Sequence, residues 1–221
     1  HPELPKPQIT MLPTNEMERK AAAIHINKFQ ITKDYIEYQA QAPLKVISSA
    51  VHNAGIGWYD TLLNRSIAPE YDIYNVKEET EHFLKERKFS PTNTVVMLTA
   101  VETSCAAIRH FSKNNAEILV MVTAGVGNSV DVTKTYLREE EPHIGTINTW
   151  VIINGKLTDE AFIQAMITAT EAKTKALADQ QIKDAVTNTI ATSTATDSLL
   201  IAATQQGEEM PYAGPITEIG K

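Results

Sequence analysis

The sequence has one cysteine and no long apolar segment, and both absences exclude classes of protein. Cys105 has no second cysteine with which to form an internal disulfide, and a lone thiol is typical of a reducing compartment. No apolar run approaches the ~18 residues that indicate a membrane-spanning helix, and no stretch resembles a signal peptide. We therefore expect a cytoplasmic protein that does not insert into the membrane.

The sequence is also poor in positive charge and in paired metal ligands. Its 27 acidic residues outnumber the 20 basic ones, which gives a formal net charge of -7, and no basic cluster stands out. Nucleic acids bind through such clusters, so we expect no nucleic-acid partner. The 6 histidines are scattered without the spacing of a zinc site. We therefore expect no bound metal.

What is present is an ordinary hydrophobic share of 43% in 221 residues, enough for a sizeable core. Short β-rich segments paired across turns, mixed with a few helical segments, predict an α+β fold. We expect a single compact domain in which a mixed, hairpin-rich sheet packs with a few helices. Four prolines within residues 1–14 predict a linker, which places the domain at residues 15–221.

Hydrophobic periodicity and turn residues assign the individual elements. Predicted helices cover residues 58–65, 76–87 and 159–178. Predicted strands and hairpins cover residues 29–38, 44–50, 94–100, 106–111, 118–123, 144–153, 185–190 and 198–204. The helix at 159–178 has the clearest start, because Thr158 is a good N-cap and Leu157 with Phe162 forms a hydrophobic staple.

Lys173 lies in an apolar, small-residue stripe of that helix, while Glu171 falls on the opposite face. A desolvated lysine needs a partner or loses its proton, and either outcome suits catalysis or anion binding. The alternative is a lysine that extends past the sheet edge or forms a structural ion pair. For Glu171, an exposed pair with Lys175 is a sufficient explanation.

Three other positions can carry chemistry, each with a structural alternative. Gly125, Gly127 and Asn128 can form a backbone nest for an oxyanion, or simply a turn. His52 can act as a general base beside the donor Asn53, or be an ordinary packed histidine. Asp197 can orient a reacting group, or cap a turn.

Five segments taken together resemble the adenosylcobinamide amidohydrolase (CbiZ) family. In chain order they are 123–128, 145–148, 170–173, 194–197 and 212–214. The resemblance implies an enzyme of cobalamin salvage that hydrolyses the amide between the aminopropanol arm and the corrin ring. Its products are adenosylcobyric acid and 1-amino-2-propanol, and the cobalt corrinoid is the substrate, with no cofactor expected.

The motif positions supply the candidate site residues under this resemblance. The candidate acid and base groups are Lys173, Glu171, Asp197 and His52. The candidate substrate-binding groups are Asn53, Gly125, Gly127, Asn128, Thr146, Asn148 and Thr196. Ser193 and Ala195 stand where the family pattern has glycines, a difference that bears on loop shape and substrate preference.

The segment that begins at His1 resembles the tail of ABC-transporter ATPase subunits. It suggests that the chain is the C-terminal domain of a fusion with a corrinoid-uptake ATPase, whose transporter subunits are then possible partners. One alternative function is a non-catalytic corrinoid-binding or regulatory module attached to the transporter. Another is an unrelated amidase that uses Thr146 or Ser198 as its nucleophile.

Overall fold

The computed structural model describes residues 8–11, 24–68, 71, 75–113, 116–138 and 145–221. The strands are β1 (Gln8–Met11), β2 (Phe29–Ile31), β3 (Tyr35–Ser48), β4 (Gly55–Ser66), β5 (Thr94–Thr99), β6 (Ala107–Lys113), β7 (Ala116–Ala124), β8 (Ser129–Val130), β9 (Ile147–Asn154), β10 (Lys156–Leu157), β11 (Ser193–Thr194), β12 (Ser198–Ala203) and β13 (Glu209–Met210). The α-helices in these residues are α1 (Val76–Glu86) and α2 (Asp159–Asp179).

Nine strands form one mixed sheet in the order β1-β6-β7-β9-β12-β3-β4-β5, with β2 added beside β3. Strands β4 and β5 are parallel and joined through α1, while β9 and β12 are parallel and joined through α2. The β6–β7 and β3–β4 pairs are antiparallel. The predicted α+β class, a mixed sheet with a few helices in one compact domain, is confirmed.

Alternation along the strands divides the apolar residues between the two faces of the sheet. On β12, Leu200 belongs to the core of the inner face and Ile201 to the cluster under α2 on the outer face. The sheet curls around its inner core, since Trp150 Nε1 on β9 donates to Met97 Sδ on β5 at 3.2 Å. Strands that are far apart in the sheet order therefore touch.

Both helices cover the outer face. The Thr158 side chain accepts a hydrogen bond from Ala161 N at 3.2 Å, as the predicted N-cap requires. Phe162 then packs into the cluster that contains Ile201, and burial of one such ring contributes about 2 kcal/mol. No described helix is long and apolar enough to cross a membrane.

Two element predictions are wrong. Residues 58–65 form part of strand β4 and not a helix, because this segment pairs with β3 on one side and, from Thr61 onward, with β5 on the other. Residues 185–189 form a loop and not a strand, because Asp184 Oδ1 accepts from the backbone amides of Val186 and Thr187 and closes a turn. Ile190 forms an isolated bridge to Lys183.

The helices at 76–87 and 159–178 and the strands at 94–100 and 198–204 are confirmed to within two residues at their ends. The hairpin at 29–38 is present as β2 and the start of β3, but β3 continues to Ser48, so the strand predicted separately at 44–50 is its second half. Strand β1 lies inside the segment predicted as a linker and pairs with β6 in parallel at the sheet edge. An edge strand tolerates the flanking prolines, which cannot donate to a ladder. The rest of that segment lies outside the described residues.

Candidate functional site

Two of the motif segments are hydrogen-bonded side by side at the start of β9. Thr146 Oγ1 donates to Thr196 O at 2.8 Å, and Thr196 Oγ1 donates back to Gly145 O at 2.6 Å. The Ile147 amide donates to Asp197 Oδ1 at 3.1 Å. The loop that carries Asp197 is thus fixed against the strand, although about fifty residues separate the two in the chain.

Asp197 is held by one oxygen and presents the other to Lys173. Its Oδ1 accepts from the amide and the hydroxyl of Thr194 as well as from Ile147. Its Oδ2 forms an ion pair with Lys173 Nζ on helix α2. The two side chains are only 18% and 17% exposed, so the pair is partly removed from water. Both the turn-capping and the orienting interpretations of Asp197 are consistent with this geometry.

A small polar pocket of about 190 Å³ opens beside the ion pair. Its wall contains Lys173 and Asp197 together with four hydroxyl-bearing residues, which are Ser49 after β3, Thr149 on β9, Thr170 on α2 and Ser198 on β12. The rest of the wall is apolar, with Ile147, Met166, Ala169 and Leu199. Ser49 Oγ and Ser198 Oγ lie 3.1 Å apart, and Ser198 Oγ also donates to Ser49 O. The pocket therefore combines an ammonium, a carboxylate and several hydroxyls.

A larger apolar groove of about 540 Å³ lies on the other side of Lys173. It runs between the second half of α2 and the outer face of β7 and β9. Its lining is mainly aliphatic, with Val120, Val122, Val151, Ala172, Ala176 and Leu177. Lys173, Thr149, Ile147 and Ala169 line both cavities, so the ion pair stands at their junction.

Thr146 and Asn148 point into the sheet's inner core. Asn148 is completely buried, and its Nδ2 donates to Asn64 Oδ1 at 2.7 Å and to Leu98 O at 2.8 Å. Asn64 in turn donates to Thr123 Oγ1 at 2.9 Å. Both amide hydrogens of Asn148 are used inside the protein, so its position supports a structural role. Substrate binding by Thr146 and Asn148 stays a prediction.

The segment at 125–128 forms a turn packed against residue 145. Gly125 N donates to Thr146 O at 2.8 Å, and so this amide is already occupied. Gly127 is exposed in the turn, whereas Asn128 is buried. A Cβ on Gly145 would lie 2.4 Å from Asn128 Oδ1, so this close approach requires glycine. A role for these residues as oxyanion donors stays a prediction.

His52 and Asn53 anchor a loop to the turn before β5. His52 Nε2 lies 2.8 Å from Pro91 O, and Asn53 Nδ2 donates to Pro91 O and Thr94 O, each at 2.8 Å. Neither residue lines the polar pocket or the apolar groove. The structure does not bring them to Lys173.

Glu171 is exposed on α2 and lines neither cavity. The pairing suggested for it is not the one observed, since Lys175 Nζ pairs with Asp179 one turn further on. Of the four predicted acid and base residues, the structure therefore brings together Lys173 and Asp197 alone.

Sequence reasoning missed Ser49 and Thr149 as parts of the site. Ser49 directly follows β3, and Thr149 is the outward-facing residue between the buried Asn148 and Trp150. Alternation along a strand could have placed Thr149 on the face of Lys173. Nothing local in the sequence brings Ser49 beside Ser198.

A second ion pair, Arg138–Asp184, joins two loops outside the helices and strands. Arg138 Nη2 contacts Asp184 Oδ1, which is fully buried. Burial opposes ionisation of Asp184, but hydrogen bonds from Arg138 and from backbone amides outweigh it and hold the pKa of this carboxyl well below its usual range. In the described part of the chain, no group of three or more His, Cys, Asp or Glu side chains could hold a metal ion.

Comparison with known proteins identifies relatives along most of the chain. The model of the family described as adenosylcobinamide amidohydrolase (CbiZ) matches residues 19–221. The protein named adenosylcobinamide amidohydrolase from Methanosarcina mazei is 38% identical over 104 residues, which cover 45% of this chain and 47% of that protein.

Two uncharacterised relatives match longer stretches at lower identity. The uncharacterised ABC transporter ATP-binding protein YvrA of Bacillus subtilis is 24% identical over 205 residues, 93% of this chain and 38% of that protein. The uncharacterised protein MJ1613 of Methanocaldococcus jannaschii is 25% identical over 178 residues, 72% of this chain and 69% of its own length. The chain thus spans less than half the length of two of these three relatives.

Proposed function

Because this chain belongs to the adenosylcobinamide amidohydrolase (CbiZ) family, we propose that it hydrolyses the amide joining the aminopropanol arm to the corrin ring of adenosylcobinamide. The products are adenosylcobyric acid and 1-amino-2-propanol. Water adds to the amide carbon, the C–N bond breaks, and the departing nitrogen takes up a proton. The overall exchange leaves a carboxylate and an ammonium.

The observation that supports this proposal most strongly is the position of Lys173. Its ammonium lies between a polar pocket and an apolar groove and is paired with a fixed carboxylate. Negative charge develops on the amide oxygen when water adds, and a positive group held in place stabilises that charge without reorganisation. In the described part of the chain, Asp197 Oδ2 is the one hydrogen-bond acceptor of Lys173 Nζ, which leaves two N–H donors for a ligand.

Asp197 acts in this proposal as a positioning residue. Three hydrogen bonds from Thr194 and Ile147 fix its Oδ1, so its Oδ2 can aim Lys173 at the junction of the two cavities. The water molecule that attacks is held by the hydroxyls of the polar pocket, and its proton passes to the departing nitrogen. This division gives the lysine the electrostatic role and the aspartate the orienting role.

The same geometry disfavours a covalent mechanism through Ser198. A serine nucleophile needs a base with a free lone pair, and Lys173 is ion-paired as an ammonium that has none. The Ser198 hydroxyl donates to Ser49 O, which directs its proton away from Lys173. We therefore expect no acyl-enzyme.

The test is incubation of the protein with adenosylcobinamide in ¹⁸O-labelled water, followed by mass spectrometry of both products. The proposal expects one ¹⁸O in the adenosylcobyric acid, none in the aminopropanol, and an intact protein mass without an adduct. Release of product with a protein adduct would instead establish Ser198 or another side chain as the nucleophile. Absence of both products under conditions of tight binding would contradict hydrolysis.

The similarity to the ABC transporter ATP-binding protein YvrA supports a second candidate function. A corrinoid-binding module joined to a transporter ATPase would use the same groove but would bind adenosylcobinamide without turnover. The labelled-water experiment distinguishes the two, because the binding module gives a saturable complex and no labelled product. Transporter subunits are proposed partners under either function.

A further inference from the structure

We infer that the two cavities bind opposite halves of the substrate, with the corrin side in the apolar groove and the departing aminopropanol in the polar pocket. This inference rests on the proposed function, since it places the scissile amide at Lys173. It also assigns an orientation to the bound substrate, which the overall reaction does not determine.

The shared wall of the two cavities fixes where the amide lies. Lys173 and Thr149 line both spaces, and the helix and the strand that carry them form the boundary. A carbonyl oxygen that accepts from Lys173 Nζ has its acyl group on one side of this boundary and its nitrogen substituent on the other. Each half of the substrate must therefore enter a different cavity.

The groove matches the larger and flatter half. Its volume of about 540 Å³ is nearly three times the 190 Å³ of the pocket. Among the described residues that line it, Lys173 is the one charged side chain. Ala172 and Ala176 on α2 have no side chain beyond Cβ, so a broad ring bearing methyl groups can approach the helix closely. Ligand sites of this size are commonly apolar with a few polar groups at one end.

The polar pocket matches a ligand that donates hydrogen bonds. The Thr170 hydroxyl donates to Met166 O at 2.8 Å, and the Ser198 hydroxyl donates to Ser49 O at 3.1 Å. Their protons are therefore committed to the protein, while their oxygen lone pairs remain able to accept. The aminopropanol leaves as an ammonium with a free hydroxyl, and both groups are donors. The pocket offers these acceptors beside the Asp197 carboxylate.

Two substitutions test the assignment by equilibrium binding, separately from turnover. Ala176→Leu places a larger side chain in the groove and is expected to weaken binding of adenosylcobyric acid about tenfold. This is the low end of the usual cost of adding bulk to a space that is already filled. Thr170→Val keeps the shape of the side chain but removes an acceptor, and it is expected to weaken binding of 1-amino-2-propanol about fivefold. Equilibrium dialysis measures the corrinoid, and an NMR titration measures the amine.

The matched control is Lys175→Leu, which adds the same side chain at an exposed position of α2 that lines neither cavity. It is expected to bind both ligands as the wild type does. Ala172→Leu is a second groove variant, and thermal unfolding of all variants confirms that each is folded.

The expected result is that Ala176→Leu affects the corrinoid alone and Thr170→Val the amine alone. The inference is overturned if Ala176→Leu and Ala172→Leu bind the corrinoid as tightly as the wild type does. It is also overturned if Ala176→Leu weakens only amine binding and Thr170→Val only corrinoid binding, or if the wild type binds no corrinoid. A parallel assay for product keeps the two claims apart. Selective loss of binding without any product supports the two subsites and contradicts hydrolysis.

Discussion

Two partly buried ion pairs, Lys173–Asp197 and Arg138–Asp184, differ in what surrounds them. Asp184 is fully buried and accepts from the amides of Asp131, Val186 and Thr187 as well as from Arg138. Asp197 is also held by backbone donors, but its lysine partner lines two cavities. A pair closed in by protein stabilises loops, whereas a pair that faces empty space can act on a ligand.

The two ion pairs also show that the more deeply buried pair need not be the functional one. By burial and by the depressed pKa of its carboxyl, the Arg138–Asp184 pair is the more unusual of the two. Perturbed ionisation is common at active sites but also arises in structural networks. The neighbouring cavities, and not the ionisation, are the reason why we propose Lys173–Asp197 as the functional pair. Substitutions in each pair should therefore change different quantities.

Among substitutions of the carboxylate residues, Asp197→Asn is expected to have the largest effect on kcat. Asparagine keeps an acceptor for Ile147 N and Thr194 N but lacks the charge that orients Lys173. We expect kcat to fall on the order of 10²-fold, with KM unchanged, because the loss is confined to stabilisation of the transition state. Steady-state kinetics on adenosylcobinamide measures both constants. A stability loss with normal kcat would make Asp197 a turn cap and no more.

Asp184→Asn is expected to lower stability and to leave kcat unchanged. This substitution leaves Arg138 without its buried partner, and we expect the free energy of unfolding to fall by about 2 kcal/mol. Urea denaturation gives this value, and activity per folded molecule should be unchanged. A drop in kcat at full folding would mean that the loop pair contributes to the site.

Acid should weaken the fold through the same carboxyl. The pKa of Asp184 is depressed in the folded state, so its stabilisation is fully present above its unfolded pKa of about 4 and is lost as the pH falls below that value. Glu79 contributes with the same sign, because hydrogen bonds from Arg65 lower its pKa. We expect urea denaturation between about pH 5 and pH 2.5 to show a steep loss in the wild type. In Asp184→Asn the slope should be shallower, and equal slopes would contradict this assignment.

The smallest effect is expected for Glu171→Gln. Glu171 is exposed on α2 and lines neither cavity, so the change should alter kcat by less than about twofold. The same assay used for Asp197→Asn measures it. A large loss of kcat would restore Glu171 to the catalytic residues that its motif suggested and would show that the site extends over the exposed face of the helix.

The sequence predicts the local elements of this protein better than the relations between them. Helix α2 could be recognised because its N-cap, its staple and its apolar stripe agree, and the stripe placed Lys173 on the buried side. Residues 58–65 were harder, because a short apolar and aromatic segment fits both a helix and a strand until its partner strand is known. Strand β3 resolves that ambiguity, and it lies outside any local window.

The candidate site was predictable in its central residues and not in its shape. Lys173 and Asp197 could be singled out individually, but their pairing depends on a loop that is fixed to β9. Asn148 has the character of a binding residue in the sequence, yet the curl of the sheet turns it inward to Asn64 and Leu98. Curvature arises from the summed twist of many strands, and no single segment encodes it.

The most direct test of the account compares Lys173→Met with Arg138→Met in a single-turnover assay with adenosylcobinamide. Methionine removes the charge and keeps much of the apolar stem in each case. We predict that Lys173→Met folds as stably as the wild type and hydrolyses the amide on the order of 10³-fold more slowly, whereas Arg138→Met loses stability and retains the rate per folded molecule. Wild-type hydrolysis by Lys173→Met would contradict the central claim that this lysine acts on the scissile amide.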